Sequence, residues 1–153
     1  MFTFSELIQA THGRGIGSSD GSVSGVSTDS RTVSPGDVFV ALKGERFDGH
    51  DFIDTVSRRG TRFFIVDKSW VSGHDLPPGG SVIAVPDTLR ALGDLAAFHR
   101  ARFSLPLIGL TGSNGKTTTK EMLAAILAFT GPGLKTSGNL NNLIGLPRML
   151  LQL

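Results

Sequence analysis

The chain has 153 residues, 39% of them apolar and 18% charged, with a formal charge of +2 and no cysteine. Those proportions belong to a folded globular protein, and the lack of cysteine excludes a disulfide framework or a Cys-ligated metal centre. The arginines are scattered (Arg31, Arg46, Arg58, Arg59, Arg100, Arg102) with no basic stripe, which argues against a nucleic-acid partner, and no apolar run approaches the roughly 18–20 residues of a bilayer span.

The first ten residues, MFTFSELIQA, lack the basic start and long apolar core of a secretory signal, so a cytoplasmic location is expected. Within them Thr3 and Glu6 have capping-box spacing, predicting a short helix through Ala10 with Phe4, Leu7 and Ile8 at helical spacing. A Gly/Ser-rich stretch over residues 13–25 follows. Next comes a short strand from Val26 that ends in the polar run Ser27-Thr28-Asp29-Ser30-Arg31. Ser34-Pro35-Gly36-Asp37 has the chemistry of a turn feeding an apolar strand over residues 38–42. An amphipathic helix is predicted over residues 50–59, with Phe52, Ile53 and Val56 on one face and Gly60 as its stop. A buried strand over residues 63–66 completes a βαβ unit with a parallel sheet.

The Pro/Gly cluster at residues 76–80 reads as a loop before a strand at residues 81–85, because Val82-Ile83-Ala84-Val85 needs a sheet to join. Pro86-Asp87-Thr88 then opens a helix with Leu89, Leu92, Leu95, Ala96 and Phe98 on its apolar face. The fold class expected is α/β: a small N-terminal lobe over residues 1–86, then the beginning of a P-loop ATPase-type parallel-sheet domain over residues 87–153. The four histidines, His12, His50, His74 and His99, have no metal-ligand spacing. His50 is expected to cap the helix that starts beside the loop at residues 43–49.

The most informative segment is Thr111 through Met122, TGSNGKTTTKEM. An apolar strand at residues 105–110 is predicted to break into a loop whose Gly112 and Gly115 let backbone approach a polyphosphate, with a helix running from Thr117 to Phe129. Gly112, Ser113, Asn114 and Gly115 would offer backbone N–H groups, beside Thr118 at the helix entry. Lys116 would add an ammonium, and the Thr117 hydroxyl could hold Mg²⁺. The general phosphate-loop pattern has a glycine where this chain has Leu110, so the form here is G-x-x-G-K-T. Beyond this helix come a short strand near residues 134–136, an Asn-rich loop and a last helix start at residues 146–153. No acidic metal ligand follows at a strand end, and the sequence reads as part of a longer protein.

Three separated segments in order resemble the Mur ligases, the ATP-dependent amide-forming enzymes that build the peptide stem of cell-wall precursors. They are Ser27 to Arg31 with the following PGDVFVAL and GERFDGHDF, then TGSNGKTTTKEM, and finally GNLNNLIGLP from Gly138 to Pro147. The G-x-x-G-K-T form is that family's phosphate loop. The Asn-rich loop with Lys120-Glu121-Met122 looks like the member that adds D-alanyl-D-alanine to UDP-N-acetylmuramoyl tripeptide.

The resemblance implies ATP and Mg²⁺ as cofactors, an acyl-phosphate route, a monomer, and an N-terminal lobe that takes the uridine nucleotide. By motif match it places Thr28 and Ser30 at the diphosphate, Glu45, Arg46 and Phe47 in the adjoining loop, and Asn139, Asn141 and Asn142 at substrate or metal-bound water. Taken residue by residue, Asp29-Ser30 also fits a simple turn, Arg46 a solvated charge and the Asn-rich loop local backbone bonding. Alternatives to the D-alanyl-D-alanine reading are the preceding ligase, which adds the third stem amino acid, and a non-catalytic nucleotide-binding fragment.

Overall fold

The computed structural model describes residues 1–17, 20–45, 47–138 and 140–153. Its centre is three parallel strands, β5 (Asp37–Val40), β6 (Phe63–Asp67) and β7 (Ser81–Val85), set beside the earlier strands β2 (Arg14–Ile16) and β4 (Gly25–Ser27) in the order β2-β7-β6-β5-β4. Val38 pairs with Phe63, and Phe63 with Ser81, while β2 joins β7 antiparallel through Arg14 and Ala84. Successive side chains point to opposite faces, so near-continuous apolar strands imply cover on both. Val38, Val40, Phe63, Ile65, Ile83 and Val85 fill one face, and Phe39, Ala41, Phe64, Val66 and Val82 the other.

The first face is covered by α1 (Phe4–Thr11) and α4 (Thr88–Arg100), through Phe4, Leu7, Ala91, Leu92, Leu95 and Ala96. The second is covered by α2 (Ile53–Arg58), entered by a 3-10 turn over Gly49–Phe52, and by the one-turn α3 (Lys68–Val71). Burying a side chain such as Phe64 or Ile65, both 0% exposed, contributes about 1.5–3 kcal/mol each. The capping box at the start of α1 forms as expected, with the Thr3 amide donating to Glu6 Oε2 at 2.7 Å and the Glu6 amide to Thr3 Oγ1 at 3.2 Å. Arg102 ties that corner down. Its guanidinium donates to Glu6 Oε1 at 2.9 Å and to the Met1 carbonyl at 2.8 Å, and lies 4.9 Å over the rings of Phe2 and Phe98.

Several expectations are corrected. The Gly/Ser-rich stretch contains β2 and β3 (Ser22–Val23), which pairs antiparallel with β1 (Phe2–Thr3) near the start of the chain. Residues 105–110 and 134–136 form no strand. A strand needs a neighbour for its N–H and C=O groups; neither segment pairs with a described strand, and Leu107, Ile108 and Leu110 are exposed. Residues 134–136 are held instead by side chains of α5 (Lys116–Leu127): Lys120 Nζ donates to the Thr136 carbonyl at 2.6 Å, and Glu121 accepts from Lys135.

The apolar end of the chain packs on α4. Helix α6 (Gly145–Leu150) sets Leu150 against the first-face core, followed by the buried Leu151, and His99 Nε2 lies 3.1 Å from the Leu153 carbonyl. Helix α4 is therefore a structural part of the first lobe's core, whereas α5 buries no residue. Leu92→Ala, at a site 0% exposed, is expected to cost about 2–5 kcal/mol in urea unfolding. Ile126→Ala, at a site 63% exposed, should stay within about 0.5 kcal/mol. Equal costs would contradict this division.

Candidate functional site

Parallel strands present their carboxyl ends, and the loops leaving them, at one edge of the sheet. Strands β4 and β5 are neighbours, so the polar run after β4 and the loop after β5 emerge side by side. Thr28 and Ser30 are half-buried, and among the described residues neither hydroxyl has a partner. The backbone turns here, with the Thr32 and Val33 amides donating to the Asp29 carbonyl at 3.2 and 3.1 Å. Asp29 takes the Arg31 guanidinium in a two-pronged pair at 2.9 and 2.7 Å and the Arg31 amide at 2.9 Å. These bonds hold the Asp29 carboxyl far below the usual carboxylate range, with a further contribution from the charge of Arg148 on α6.

Arg59, which the sequence did not single out, braces this turn from the end of α2 by donating to the carbonyls of Ser30 and Arg31 at 2.9 and 3.4 Å. Its signal was its place beside the Gly60 stop, which sets a long cation over the preceding connection.

The loop after β5 is closed at its base by pairing of Lys43 with Asp48 and by Gly44 N–H to the Phe47 carbonyl at 2.9 Å. Gly49 packs so closely that a Cβ there would sit 2.8 Å from the backbone of Leu42. Glu45 and Phe47 are exposed at the loop's tip, and Arg46 lies outside the described residues. The expected cap by His50 is corrected: Asp48 caps the 3-10 turn, accepting the His50 amide at 3.0 Å, and the His50 ring bonds Asp48 from within the turn.

Further along the same edge lies a cleft of about 790 Å³, lined among others by Asp51, Asp54, Trp70, His74, Asp87 and Leu89. Nothing local in the sequence announces it, since its walls come from three separate segments, residues 43–54, 67–74 and 86–89. Three of its carboxylates are already engaged as helix caps: Asp48 at the 3-10 turn, Asp67 at α3 and Asp87 at α4. The Ser69 hydroxyl and amide hold the Asp67 carboxyl below its ordinary value. Burial works against the Asp48 charge, but the amide and ring N–H of His50, with Lys43, outweigh it and lower that carboxyl too.

The phosphate loop is shaped otherwise. Gly112 and Gly115 take φ of 145° and 76°, a region that only glycine enters freely. Gly115 is the N-cap of α5 and has no side chain to accept the first amides. Helix α5 thus starts with Lys116, one residue before its expected start. Lys116 is half-buried and donates to the Gly112 carbonyl across the loop, while Ser113, Asn114, Thr117 and Thr118 are exposed. Uncapped amides at a helix N-terminus with an adjacent ammonium are suited to an anion.

Asn142, expected at substrate, has its Oδ1 occupied by the amides of Ile144 and Gly145 at 3.1 and 2.7 Å, so its carbonyl oxygen sets the entry of α6. Asn141 is exposed and Asn139 lies outside the described residues. Among the described residues no group of three or more His, Cys, Asp or Glu could hold a metal ion.

An α/β lobe with its loops at one strand edge, followed by a Gly-Lys-Thr helix entry, defines a P-loop type α/β protein. Residues 22–100 match the family described as "Mur ligase family, catalytic domain" and residues 110–153 match "Mur ligase middle domain". The chain belongs to the Mur ligase family. It is 44% identical over 151 residues to the UDP-N-acetylmuramoyl-tripeptide--D-alanyl-D-alanine ligase of Escherichia coli (strain K12), covering 99% of this chain and 32% of that relative. Its fold superposes on crystal structure I of MurF from Acinetobacter baumannii with a TM-score of 0.86 at 43% identity, covering 99% of this chain and 33% of the other. MurF from Thermotoga maritima in complex with ADP matches at a TM-score of 0.73 and 39% identity, over 83% of this chain and 28% of the other. The chain spans about a third of the length of these relatives.

Glu6, Asp29, Asp48, Asp67 and Glu121 are all held below their ordinary values. A carboxyl lowered in the folded state stabilises at pH above its unfolded value, and that stability is lost as pH falls through the folded one. The urea midpoint is therefore expected to hold from pH 7 to about pH 4 and to fall below it, less steeply in Asp48→Asn. A midpoint unchanged down to pH 3 would rule these bonds out as contributors.

Proposed function

We propose that the chain is the nucleotide-handling N-terminal part of an ATP-dependent ligase that joins D-alanyl-D-alanine to UDP-N-acetylmuramoyl tripeptide in peptidoglycan precursor synthesis. The observation that carries the reading is the open start of α5, where Gly115 leaves the first amides without a side-chain acceptor beside Lys116. Support comes from the activity named for the relatives and from the ADP complex of one of them. We place the lobe boundary within residues 101–109, between the two family matches, instead of at residue 86, because α4 contributes to the first lobe's core. The cytoplasm, which supplies ATP, is the proposed location. Among the described residues no helix is long and apolar enough to cross a membrane.

In this reading the amides from Gly112 to Thr118 cradle the polyphosphate. Lys116 exchanges the Gly112 carbonyl for phosphate oxygens and stays with the charge as it moves to the tripeptide carboxylate. Thr117 carries the exposed hydroxyl that fits Mg²⁺, which when bound neutralises phosphate charge; its other ligands would be phosphate oxygens, water or residues beyond those described. The acyl phosphate so formed is attacked by the dipeptide amine, the new C–N bond forming as phosphate leaves. In the first lobe Thr28 and Ser30, whose hydroxyls have no partner among the described residues, face the diphosphate, and Arg59 holds their turn. Glu45, Arg46 and Phe47 border the nucleotide, and Asn139 and Asn141 remain proposed substrate contacts, with the Asn142 amide nitrogen beside them.

Calorimetry tests the ATP half: the chain should bind ADP, and Lys116→Ala should weaken that binding about tenfold or more. A chain extended to the relatives' length, given ATP, UDP-N-acetylmuramoyl tripeptide and D-alanyl-D-alanine, should release phosphate in step with dipeptide consumption. Failure to consume the dipeptide would sink the proposal. The 153-residue chain alone is expected to release no ADP under those conditions.

A further inference from the structure

The His50 ring is 9% exposed and bonded at both nitrogens, with Nδ1 2.5 Å from Asp48 Oδ1 and Nε2 2.9 Å from the Asp67 amide nitrogen. A backbone N–H can only donate, so Nε2 must present its lone pair, and the ring proton must sit on Nδ1, where the Asp48 carboxylate accepts it. An imidazolium, a donor at both nitrogens, cannot make the Asp67 bond. The ring thus works as a relay with a fixed direction: N–H of Asp67 to Nε2, then Nδ1–H to Asp48.

The ends of that relay matter. Asp67 closes β6, a central strand, and Asp48 closes the loop that carries Glu45 and Phe47. The loop's own closures, Lys43 with Asp48, Gly44 with Phe47 and Gly49 with Leu42, are local and fix its width. A backbone bond from Ala41 N–H to the Ile65 carbonyl at 2.9 Å ties the loop's entry to the neighbouring strand; among the described residues its exit is tied there through the His50 ring, which also lies 6.4 Å from the Trp70 ring of α3. We propose that His50 is a positioning residue, held as the neutral Nδ1–H tautomer, which sets the described part of the loop, residues 43–45 and 47–48, in the conformation that receives the uridine nucleotide. The inference rests on the first lobe being the nucleotide-sugar lobe.

The test is calorimetric binding of UDP-N-acetylmuramoyl tripeptide to the 153-residue chain and its variants. His50→Phe keeps the ring and loses both bonds, and should weaken binding about tenfold. His50→Gln can still reach the Asp67 amide with its side-chain oxygen and should recover most of the affinity. His50→Asn, long enough for Asp48 only, should not. Leu7→Ala, in the α1 core, should lower the melting temperature comparably yet bind within about twofold of the unmodified chain. Long-range ¹H–¹⁵N spectra of the unmodified chain should show a protonated Nδ1 and a bare Nε2.

Unchanged binding by His50→Phe, an equal loss in Leu7→Ala, or a protonated Nε2 would each overturn the inference while leaving the lobe's function intact. No binding by the unmodified chain would overturn the nucleotide reading itself, and this inference with it.

Discussion

Two-faced burial of β5, β6 and β7 is the constraint from which the rest of the lobe follows. A one-residue slip of any of these strands would exchange its two sets of side chains between unlike layers. One layer is shaped by the Phe and Leu side chains of α1 and α4, the other by the smaller surface of α2 and α3. Register is therefore fixed by packing, and register in turn fixes where each strand ends. The turn at Asp29, the loop base at Asp48, the cap at Asp67 and the cap at Asp87 reach one edge because the strands before them run parallel in fixed register. Functional geometry here is a by-product of core alternation.

The parts of this arrangement legible in the sequence were those with local causes. Thr3 and Glu6 announce their helix through a bond between them, and the apolar runs of β5 to β7 announce strands through composition. What escaped was structure made by distant partners. Strand β2 is Arg14-Gly15-Ile16, with no propensity of its own; it exists because β7 offers an open edge and because Gly15 leaves room for Ile8, whose Cδ1 would lie 2.5 Å from a Cβ there. Conversely, residues 105–110 have strand composition and no partner among the described strands, so they form no ladder. Asn142 shows the same limit within the site, because a carboxamide that can meet a substrate can equally close the start of α6, and only placement decides.

The two portions of the chain also differ in what stabilises them. The first lobe rests on buried side chains. The second, from the phosphate loop through α5, is held by polar links such as the half-buried Lys120 to Thr136 and the exposed Lys135 to Glu121, while Met122, Ile126 and Phe129 face outward. Exposed ion pairs contribute little to stability. The loop's conformation depends instead on its glycines, whose positive φ values are set by local backbone preference without surrounding cover.

The aspartate caps along the strand edge have a further consequence. Each is an anion tethered to the helix start it closes, at an effective concentration on the order of millimolar or more. A free phosphate group would have to displace that internal ligand to occupy the 3-10 turn, α3 or α4. Helix α5, opened by a glycine, imposes no such competition. Among these four helix starts a polyphosphate in dilute solution is thereby directed to α5, which carries no resident carboxylate.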